Sequence, residues 1–292
     1  MTQSQGRGRF AKRVARGILP PVITSGYREL RRRSAKAEPL DWEYLPGGWP
    51  EPSTASPGWN ADSIVQTQLT RWPDFVESVK APAPFGLSNE SGGGPPNYGV
   101  HNTIMSFGYV LARAAQGRKS ISMLDWGGGI GHYCVNAEAL LPELKLDYYC
   151  RDLPSLVAGG RTVLPQATFF EDEGDALGRK YDLVLASSSL HYSRDWKTLL
   201  ARLAAATTGY LYVTRQPFVN HTASFVVVQR PHRYGYDTEY PGWFLNRDEF
   251  LGAAKESGLT LLREFLINEV PYVPNAPEAA DYRGFLFAPT SR

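Results

Sequence analysis

The sequence predicts a doubly wound α/β fold, in which helices cover both faces of a mostly parallel sheet. Two observations support this prediction. From about residue 98 onward, short apolar runs alternate with segments whose apolar residues have helical spacing, which is the pattern of successive βαβ units. A glycine-rich turn at Gly127–Gly131 follows one apolar run and precedes a helical segment. Such turns mark strand-to-helix junctions in open α/β sheets.

Each element is assigned in chain order from its local pattern. Strands are expected where short apolar runs are bounded by turn residues. The predicted strands are Ser120–Trp126, Leu144–Cys150, Ala167–Phe170, Tyr181–Ala186, Tyr210–Thr214, Leu259–Ile267 and Arg283–Ala288. The predicted helices are 104–115, 130–141, 154–163, 196–204 and a last one from a capping box at Asn246–Glu249 to Gly258. No helical pattern separates the final two strands, so we expect them to be antiparallel.

Composition limits the class of protein. The chain has 292 residues, of which 42% are hydrophobic and 21% charged, so it can bury a sizeable core. No apolar run approaches the roughly 18 residues of a spanning helix. Cys134 and Cys150 are too few for a disulfide framework or a cysteine-rich zinc site. We therefore expect a cytoplasmic protein with no metal site, whose cysteines are small core residues.

The charge is unevenly distributed along the chain. Residues 1–36 carry ten Lys and Arg against one Glu, a net charge of +9. The remaining residues carry 21 Lys and Arg against 28 Asp and Glu, a net charge of −7. A mildly acidic body argues against a nucleic-acid partner. The basic arm remains free to contact something anionic.

Two segments precede the regular pattern. In the arm 1–36, Phe10, Val14 and Ile18 are spaced as one face of a short basic helix that ends at Pro20–Pro21. This helix either contacts an anionic membrane through residues 7–33 or is a solvated or packed tail. Residues 37–97 are rich in Trp, Pro and Gly and predict an irregular or helical cap, with a hinge-like loop at Ser91–Pro96.

The glycine loop carries the most specific signal. Gly127, Gly129 and Gly131 permit a sharp turn and the close approach of a ligand. The helix that follows points free N–H groups and its positive dipole end at the crevice. A dinucleotide-binding G-x-G-x-x-G pattern would need its third glycine at His132. The spacing instead is G-x-G-x-G, with Asp125 two residues before the first glycine.

Polar residues follow the neighbouring strands at the same sheet edge. Asp152 comes just after the second strand, where an open α/β sheet offers a carboxylate to ribose hydroxyls, and Leu153 is next to it. A surface ion pair between Arg151 and Asp152 is the alternative. Ser187 and Ser188 end the fourth strand, so we expect them in a polar site.

The glycine loop resembles motif I of class I S-adenosylmethionine-dependent methyltransferases. Together with Leu185–Tyr192 and Thr214–Pro217, it resembles a family of bacterial small-molecule methyltransferases often associated with surface-polysaccharide loci. The resemblance covers about residues 98–288. It implies a Rossmann-like, seven-stranded sheet and S-adenosylmethionine as cofactor. In this family Gln commonly stands where this chain has His191.

The resemblance also implies roles for individual residues. Asp125 would help to hold the ammonium of the cofactor's methionine end, and Gly127, Gly128, Gly129 and Gly131 would pass beneath that end. Glu171 and Asp172 follow the third strand, where the fold usually contacts adenine; an acidic surface loop is the alternative. His132 and Tyr98 are further candidates for cofactor contact.

The acceptor side is predicted from the ends of the fourth and fifth strands. His191 and Tyr192 are the candidate catalytic residues there, and Arg215 could bind an anionic acceptor or pair with a neighbouring carboxylate. The aromatic and basic insert 217–245 is either an acceptor lid or a hydrophobic plug; Val226–Val228 is a candidate extra strand. The predicted reaction is methyl transfer to a small polar acceptor, such as a hydroxyl group of a sugar or glycan precursor. The alternatives are an NAD- or nucleotide-sugar-linked enzyme and a catalytically idle partner subunit.

Overall fold

A computed structural model describes residues 41–51, 57–85 and 97–290 of the chain. It contains ten strands: β1 Trp42–Leu45, β2 Ser120–Trp126, β3 Lys145–Arg151, β4 Thr168–Phe170, β5 Tyr181–Ser187, β6 Thr207–Val219, β7 Phe225–Gln229, β8 Tyr240–Asn246, β9 Leu259–Leu266 and β10 Asp281–Pro289. Seven of them form the central sheet in the order β4-β3-β2-β5-β6-β10-β9. β10 is antiparallel to both of its neighbours, and the other pairs are parallel. This arrangement confirms the class I methyltransferase fold, including the antiparallel pair at the end of the chain.

Helices cover both faces of the sheet, as the alternating pattern predicts. They are α1 Asp62–Lys80, α2 Tyr98–Ala115, α3 His132–Leu140, α4 Pro154–Val163, α5 Glu173–Leu177, α6 Trp196–Ala206 and α7 Arg247–Glu256. On one face α6 and α7 bury Leu200, Leu203 and Phe250 against the strands. On the other face α1–α4 bury Phe75, Phe107 and Val157. Each helix thus buries one apolar face, which is the packing that stabilises a doubly wound sheet.

The insert 217–245 extends the sheet. β6 runs to Val219, five residues beyond the predicted end at Thr214, and its last two residues pair with β8. β7 lies at the predicted extra strand, while β8 was not predicted. β7 and β8 are antiparallel and continue to β1, with Trp42 opposite Gln229. The cap and the insert therefore share one three-stranded extension.

The cap contains more regular structure than the sequence suggests. Apart from β1 it has a short 3-10 helix at Gly58–Asn60 and the 19-residue helix α1. The predicted arm 1–36, its membrane contact through residues 7–33 and the Ser91–Pro96 loop lie outside the described residues. Within the described residues, no helix has the length and apolarity needed to cross a membrane. Cys134 and Cys150 are buried and free, as core residues should be.

Candidate functional site

A cavity of about 350 Å³ opens at the carboxyl ends of β2, β3, β5 and β6. This size lies in the range of roughly 300–1,000 Å³ that is common for small-molecule sites. The strands contribute the glycine loop after β2, the residues at and after the ends of β3 and β5, and Arg215 within β6. The helices α1, α2 and α3 contribute the opposite wall. The position matches the crevice in which open α/β sheets bind ligands.

The glycine loop lines the cavity with its backbone. Gly127 has φ +70°, and its N–H donates to the Arg151 carbonyl oxygen at 2.8 Å. A Cβ on Gly127 would lie 2.5 Å from the Cβ of Ser189. Gly128 and Gly129 also line the cavity, whereas a Cβ on Gly131 would meet the side chain of Leu164. Gly131 therefore serves the packing of α3 and does not line the cavity.

Asp152 holds the glycine loop from the cavity side. Its Oδ2 accepts the Gly129 N–H and its Oδ1 accepts the Leu153 N–H, both at 2.7 Å. Burial raises the pKa of this carboxyl, and the two backbone hydrogen bonds oppose that rise. Asp152 and Leu153 both line the cavity. The carboxylate is thus fixed in place, and each of its oxygens retains a lone pair for a ligand hydroxyl.

Asp125 lies beneath the loop and does not line the cavity. Its Oδ2 accepts the Tyr148 hydroxyl at 2.6 Å, while Oδ1 is buried without a hydrogen-bond partner. Burial raises its pKa to about 7, although the Tyr148 hydrogen bond acts in the opposite direction. A Cβ on Gly128 would lie 2.5 Å from the Asp125 Cγ. The expected direct role of Asp125 at the methionine end is not supported, because the loop separates its carboxyl from the cavity.

Two non-glycine residues with positive φ lie side by side in the cavity. They are Ser188 at φ +51° and Arg215 at φ +50°, just after the paired residues Ser187 and Thr214. Such backbone strain is concentrated at functional sites. The Arg215 guanidinium is held by Glu269, with Nε–Oε2 at 3.1 Å and Nη2–Oε1 at 3.3 Å. The carboxylate pairing that the sequence left open as an alternative is therefore present.

Tyr192 and His191 lie in the 3-10 helix Leu190–Tyr192 after β5, with their ring centroids 3.8 Å apart, but only one of them lines the cavity. Tyr192 lines the cavity, and its hydroxyl donates to the Gln229 Oε1 at 2.6 Å. His191 is fully buried behind it, with Nδ1 3.1 Å from the Gln216 Oε1. Burial lowers the pKa of His191 to about 3. The prediction of a catalytic His191 is corrected accordingly: this neutral imidazole is a core group that does not face the cavity.

Three more predicted residues are placed outside the cavity. Tyr98, at the start of α2, has 75% of its surface exposed. Glu171 is on the surface in an ion pair with Arg161 at 3.0 Å. Asp172 caps α5 by accepting the Asp175 N–H at 3.0 Å. The acidic surface loop, the alternative considered for Glu171 and Asp172, describes what the structure shows.

The sequence did not single out several residues that line the cavity. The cap contributes Trp59, Gln68 and Phe75, and the others include Tyr133, Asn136 and Glu173. Trp59 stacks on Tyr240 with ring centroids 4.3 Å apart and lies edge-on to Tyr192 at 5.0 Å. The described part of the insert 217–245 supplies no lining residue. Its residue Tyr240 packs against Trp59 and Tyr192. The role of the insert as a lid stays a prediction.

Several side chains that line the cavity carry a buried polar atom that has no hydrogen-bond partner. Five of its side chains carry a buried nitrogen or oxygen with no hydrogen bond: Trp59 Nε1, Gln68 Oε1, His132 Nδ1, Asn136 Oδ1 and Arg151 Nε. Leaving such an atom unsatisfied costs about 1–3 kcal/mol. A polar ligand is therefore the expected occupant. Within the described residues, no cluster of three or more His, Cys, Asp or Glu side chains is placed to hold a metal ion.

A family model described as a methyltransferase domain matches residues 106–264, more than half of the chain. The chain belongs to this methyltransferase family. S-adenosylmethionine is its cofactor. The match covers the glycine loop, Asp152, the serines at the end of β5 and Arg215. It also covers His132 and Asn136 on α3 and leaves out the lining residues of the cap, Trp59, Gln68 and Phe75.

Solved structures of methyltransferases are similar to part of this chain at low sequence identity. Mitomycin 7-O-methyltransferase MmcR is 17% identical with a TM-score of 0.45, over 65% of this chain and 55% of its own. A methyltransferase from Clostridium acetobutylicum is 13% identical with a TM-score of 0.45, over 64% of this chain and 91% of its own. An O-methyltransferase from a Brevibacillus brevis polyketide synthase, in complex with S-adenosylhomocysteine, is 12% identical with a TM-score of 0.46. The match covers 65% of this chain and 72% of that one. A comparison with curated proteins finds no match.

The residues of this methyltransferase fit its cofactor. The fixed Asp152 carboxylate suits ribose hydroxyls, and the glycine loop leaves no side chain between such a ligand and the backbone. Arg151 stacks on Trp126 with its Cζ 4.8 Å from the ring centroid and pairs with Glu173 at 3.1 Å. This side of the cavity is therefore rigid and charged before any ligand binds.

The buried His191 gives a prediction about pH. Its pKa of about 3 in the folded chain lies below the ordinary 6.5, so the unfolded chain takes up a proton below pH 6.5 that the folded chain does not. The free energy of unfolding therefore falls by up to about 1.4 kcal/mol for each pH unit between pH 6.5 and pH 3. His191→Gln removes this contribution. We expect urea unfolding at pH 7.5 and pH 5.0 to show a stability loss about 2 kcal/mol smaller in the variant.

Leu190→Val is the matched control for that measurement. Leu190 is also fully buried in the same 3-10 helix but carries no ionisable group. It should lower the free energy of unfolding by the same amount at both pH values. If His191→Gln and the wild type lose equal stability between pH 7.5 and pH 5.0, His191 is protonated in the fold and its assignment as a neutral core group is wrong.

Proposed function

We propose that this protein transfers the methyl group of S-adenosylmethionine to an oxygen atom of a small polar acceptor. The observation that carries the proposal is that five of the residues lining a cavity at the carboxyl edge of the methyltransferase sheet each carry a buried polar atom without a partner. A site that only packed a glycine-rich turn would not leave these atoms unsatisfied. A sugar or glycan precursor fits the polar lining as the acceptor.

The strand-end side of the cavity is assigned to the cofactor. Gly127, Gly128 and Gly129 offer backbone to it, and Asp152 is placed to accept hydrogen bonds from ribose hydroxyls. Ser187 and Ser188 border it at the end of β5. When bound, S-adenosylmethionine would supply an electrophilic methyl group: the acceptor oxygen would form a bond to it in line with the S–CH3 bond that breaks, S-adenosylhomocysteine would leave, and the hydroxyl proton would pass to water.

The acceptor has to be held against that methyl group, and positioning is the main contribution the chain can make. Tyr192 and Arg215 line the cavity beside the strained backbone at Ser188, just after β5, and at Arg215 itself, within β6. The hydrogen bond to Gln229 and the contact with Trp59 fix the Tyr192 ring. We therefore assign Tyr192 as a positioning residue. His191 has no part in this proposal, because it is buried behind Tyr192.

The proposal is tested by incubating the protein with methyl-labelled S-adenosylmethionine and a panel of sugars, sugar phosphates and nucleotide-sugars, followed by mass analysis. We expect one class of acceptor to gain a single methyl group on oxygen. In Tyr192→Phe we expect transfer to fall about tenfold while the affinity for S-adenosylhomocysteine stays within twofold, because the ring loses its tether and the cofactor side is unchanged.

Arg194→Ala is the control, because Arg194 lies on the surface two residues from Tyr192 and pairs with exposed Glu51. It should leave transfer and cofactor affinity unchanged. Transfer to nitrogen alone, or no transfer by a protein that binds the cofactor, would contradict the proposal. The second result would favour a catalytically idle subunit.

A further inference from the structure

We propose that the acceptor binds on the helical wall of the cavity and is a neutral molecule with at least two hydroxyl or N–H donors. The helical wall is the part of the cavity lining that comes from α1, α2 and α3; its residues used below are Gln68, Phe75, Thr103, Ile104, His132 and Asn136. This inference rests on the proposed function and names the class of acceptor.

Two carboxamides give the helical wall unpartnered acceptors. The Asn136 Nδ2 donates to the His132 carbonyl oxygen at 3.0 Å, and the Gln68 Nε2 donates to the Tyr236 hydroxyl at 3.4 Å. Both side chains are 97% buried, and the Oδ1 of Asn136 and the Oε1 of Gln68 accept no hydrogen bond. The third unpartnered atom of this wall, the His132 Nδ1, donates or accepts according to the tautomer, whereas the two carboxamide oxygens only accept, so the ligand has to supply at least two donors.

The same wall carries no charge. Among the described residues that α1, α2 and α3 contribute to the cavity, none is Asp, Glu, Lys or Arg. His132 is neutral, because burial lowers its pKa to about 3. Burying a charged group against this wall would leave that charge unpaired, at a cost of several kcal/mol. A neutral ligand with hydroxyl or N–H groups avoids that cost.

The wall leads away from the glycine loop. Gln68 lies where the helical wall meets the glycine loop: a Cβ on Gly129 would be 3.0 Å from the Gln68 Oε1. His132 is the first residue of α3, and Asn136 lies one turn, about 6 Å, farther along that helix. Phe75 is in edge contact with the His132 ring at 4.7 Å, and with Ile104 it offers an apolar surface beside the carboxamides. This combination fits a ring with hydroxyls on its edge.

The test uses Asn136→Ala with two readouts. The probes are methyl α-D-glucopyranoside and myo-inositol as neutral polyols, D-glucuronate as the anion and D-glucosamine as the cation. We expect methyl transfer to neutral polyols alone in the wild type, and a KM for them at least tenfold higher in the variant. The affinity for S-adenosylhomocysteine should stay within twofold of wild type. Asn102→Ala is the matched control, since the Asn102 Nδ2 donates to the Ile267 carbonyl oxygen and Asn102 does not line the cavity.

Three results would overturn the inference. A tenfold loss of S-adenosylhomocysteine affinity in Asn136→Ala would show that the helical wall holds the cofactor. Transfer to the anion or the cation in preference to the neutral polyols would show that the acceptor is charged. Transfer to no neutral polyol would exclude the proposed class. A wild-type protein that binds no S-adenosylhomocysteine would contradict the proposed function itself, a result that is distinct from these three.

Discussion

Gly128→Ala is expected to abolish measurable binding of S-adenosylhomocysteine. A Cβ at this position would lie 2.5 Å from the Asp125 Cγ and 2.9 Å from the Cys150 Sγ, both in the buried layer beneath the glycine loop. Real Cβ atoms essentially never approach neighbours this closely, so the loop has to move into the cavity. We expect the affinity to fall at least a hundredfold, measured by titration calorimetry, with a lower midpoint of thermal unfolding.

Gly252→Ala provides the control for the same substitution elsewhere in the chain. Gly252 lies on the exposed side of α7, and a Cβ there would meet nothing within 4 Å. Alanine should stabilise this helix by about 0.5–1 kcal/mol and leave cofactor affinity unchanged. Wild-type affinity in Gly128→Ala would show that the loop is not packed as described.

Asp152→Ala is expected to lower the affinity for S-adenosylhomocysteine about 10- to 100-fold. Hydrogen bonds to a charged group contribute about 1.5–3 kcal/mol each, and the substitution removes the carboxylate assigned to the ribose hydroxyls. It also leaves the Gly129 and Leu153 N–H groups without their acceptors. Calorimetric titration measures the affinity, and thermal unfolding measures the accompanying loss of stability.

Asp172→Ala is the control for Asp152→Ala, because it removes an acidic side chain that lies outside the cavity. Asp172 caps α5 and lies outside the cavity, so the variant should lose about 1 kcal/mol of stability and keep its cofactor affinity within twofold. Equal losses of affinity in the two variants would place Asp172 in the site, as the family resemblance suggests. Unchanged affinity in Asp152→Ala would remove Asp152 from it.

The central sheet was predictable because its signals are local. The seven apolar runs and the helices between them each lie within a dozen residues, and the glycine loop marks the first junction. The three-stranded extension was not predictable in the same way, because β1 pairs with β7 across nearly two hundred residues of chain. The polar character of Gln229 and the short length of β1 give no local sign of that pairing.

The site shows the same division. Gly127–Gly129, Asp152 and the serines after β5 follow strand ends directly, so their convergence was predictable from topology. Gln68 reaches the cavity because α1 packs across α3 and α4, and Trp59 lies in the 3-10 helix Gly58–Asn60, which contacts α4. No spacing in the cap encodes these contacts. Asp125 was misplaced because it alternates with Leu124 and Trp126 and so faces the buried layer shared with Tyr148 and Cys150.

The most direct test of the account is a calorimetric titration of the purified protein with S-adenosylhomocysteine and S-adenosylmethionine, with NAD and a nucleotide-sugar as comparison ligands. We expect micromolar binding of the first pair at one site per chain and no binding of NAD or the nucleotide-sugar in the absence of cofactor. Binding of NAD with no response to S-adenosylhomocysteine would contradict it, because the Gly127–Gly131 loop would then serve a dinucleotide.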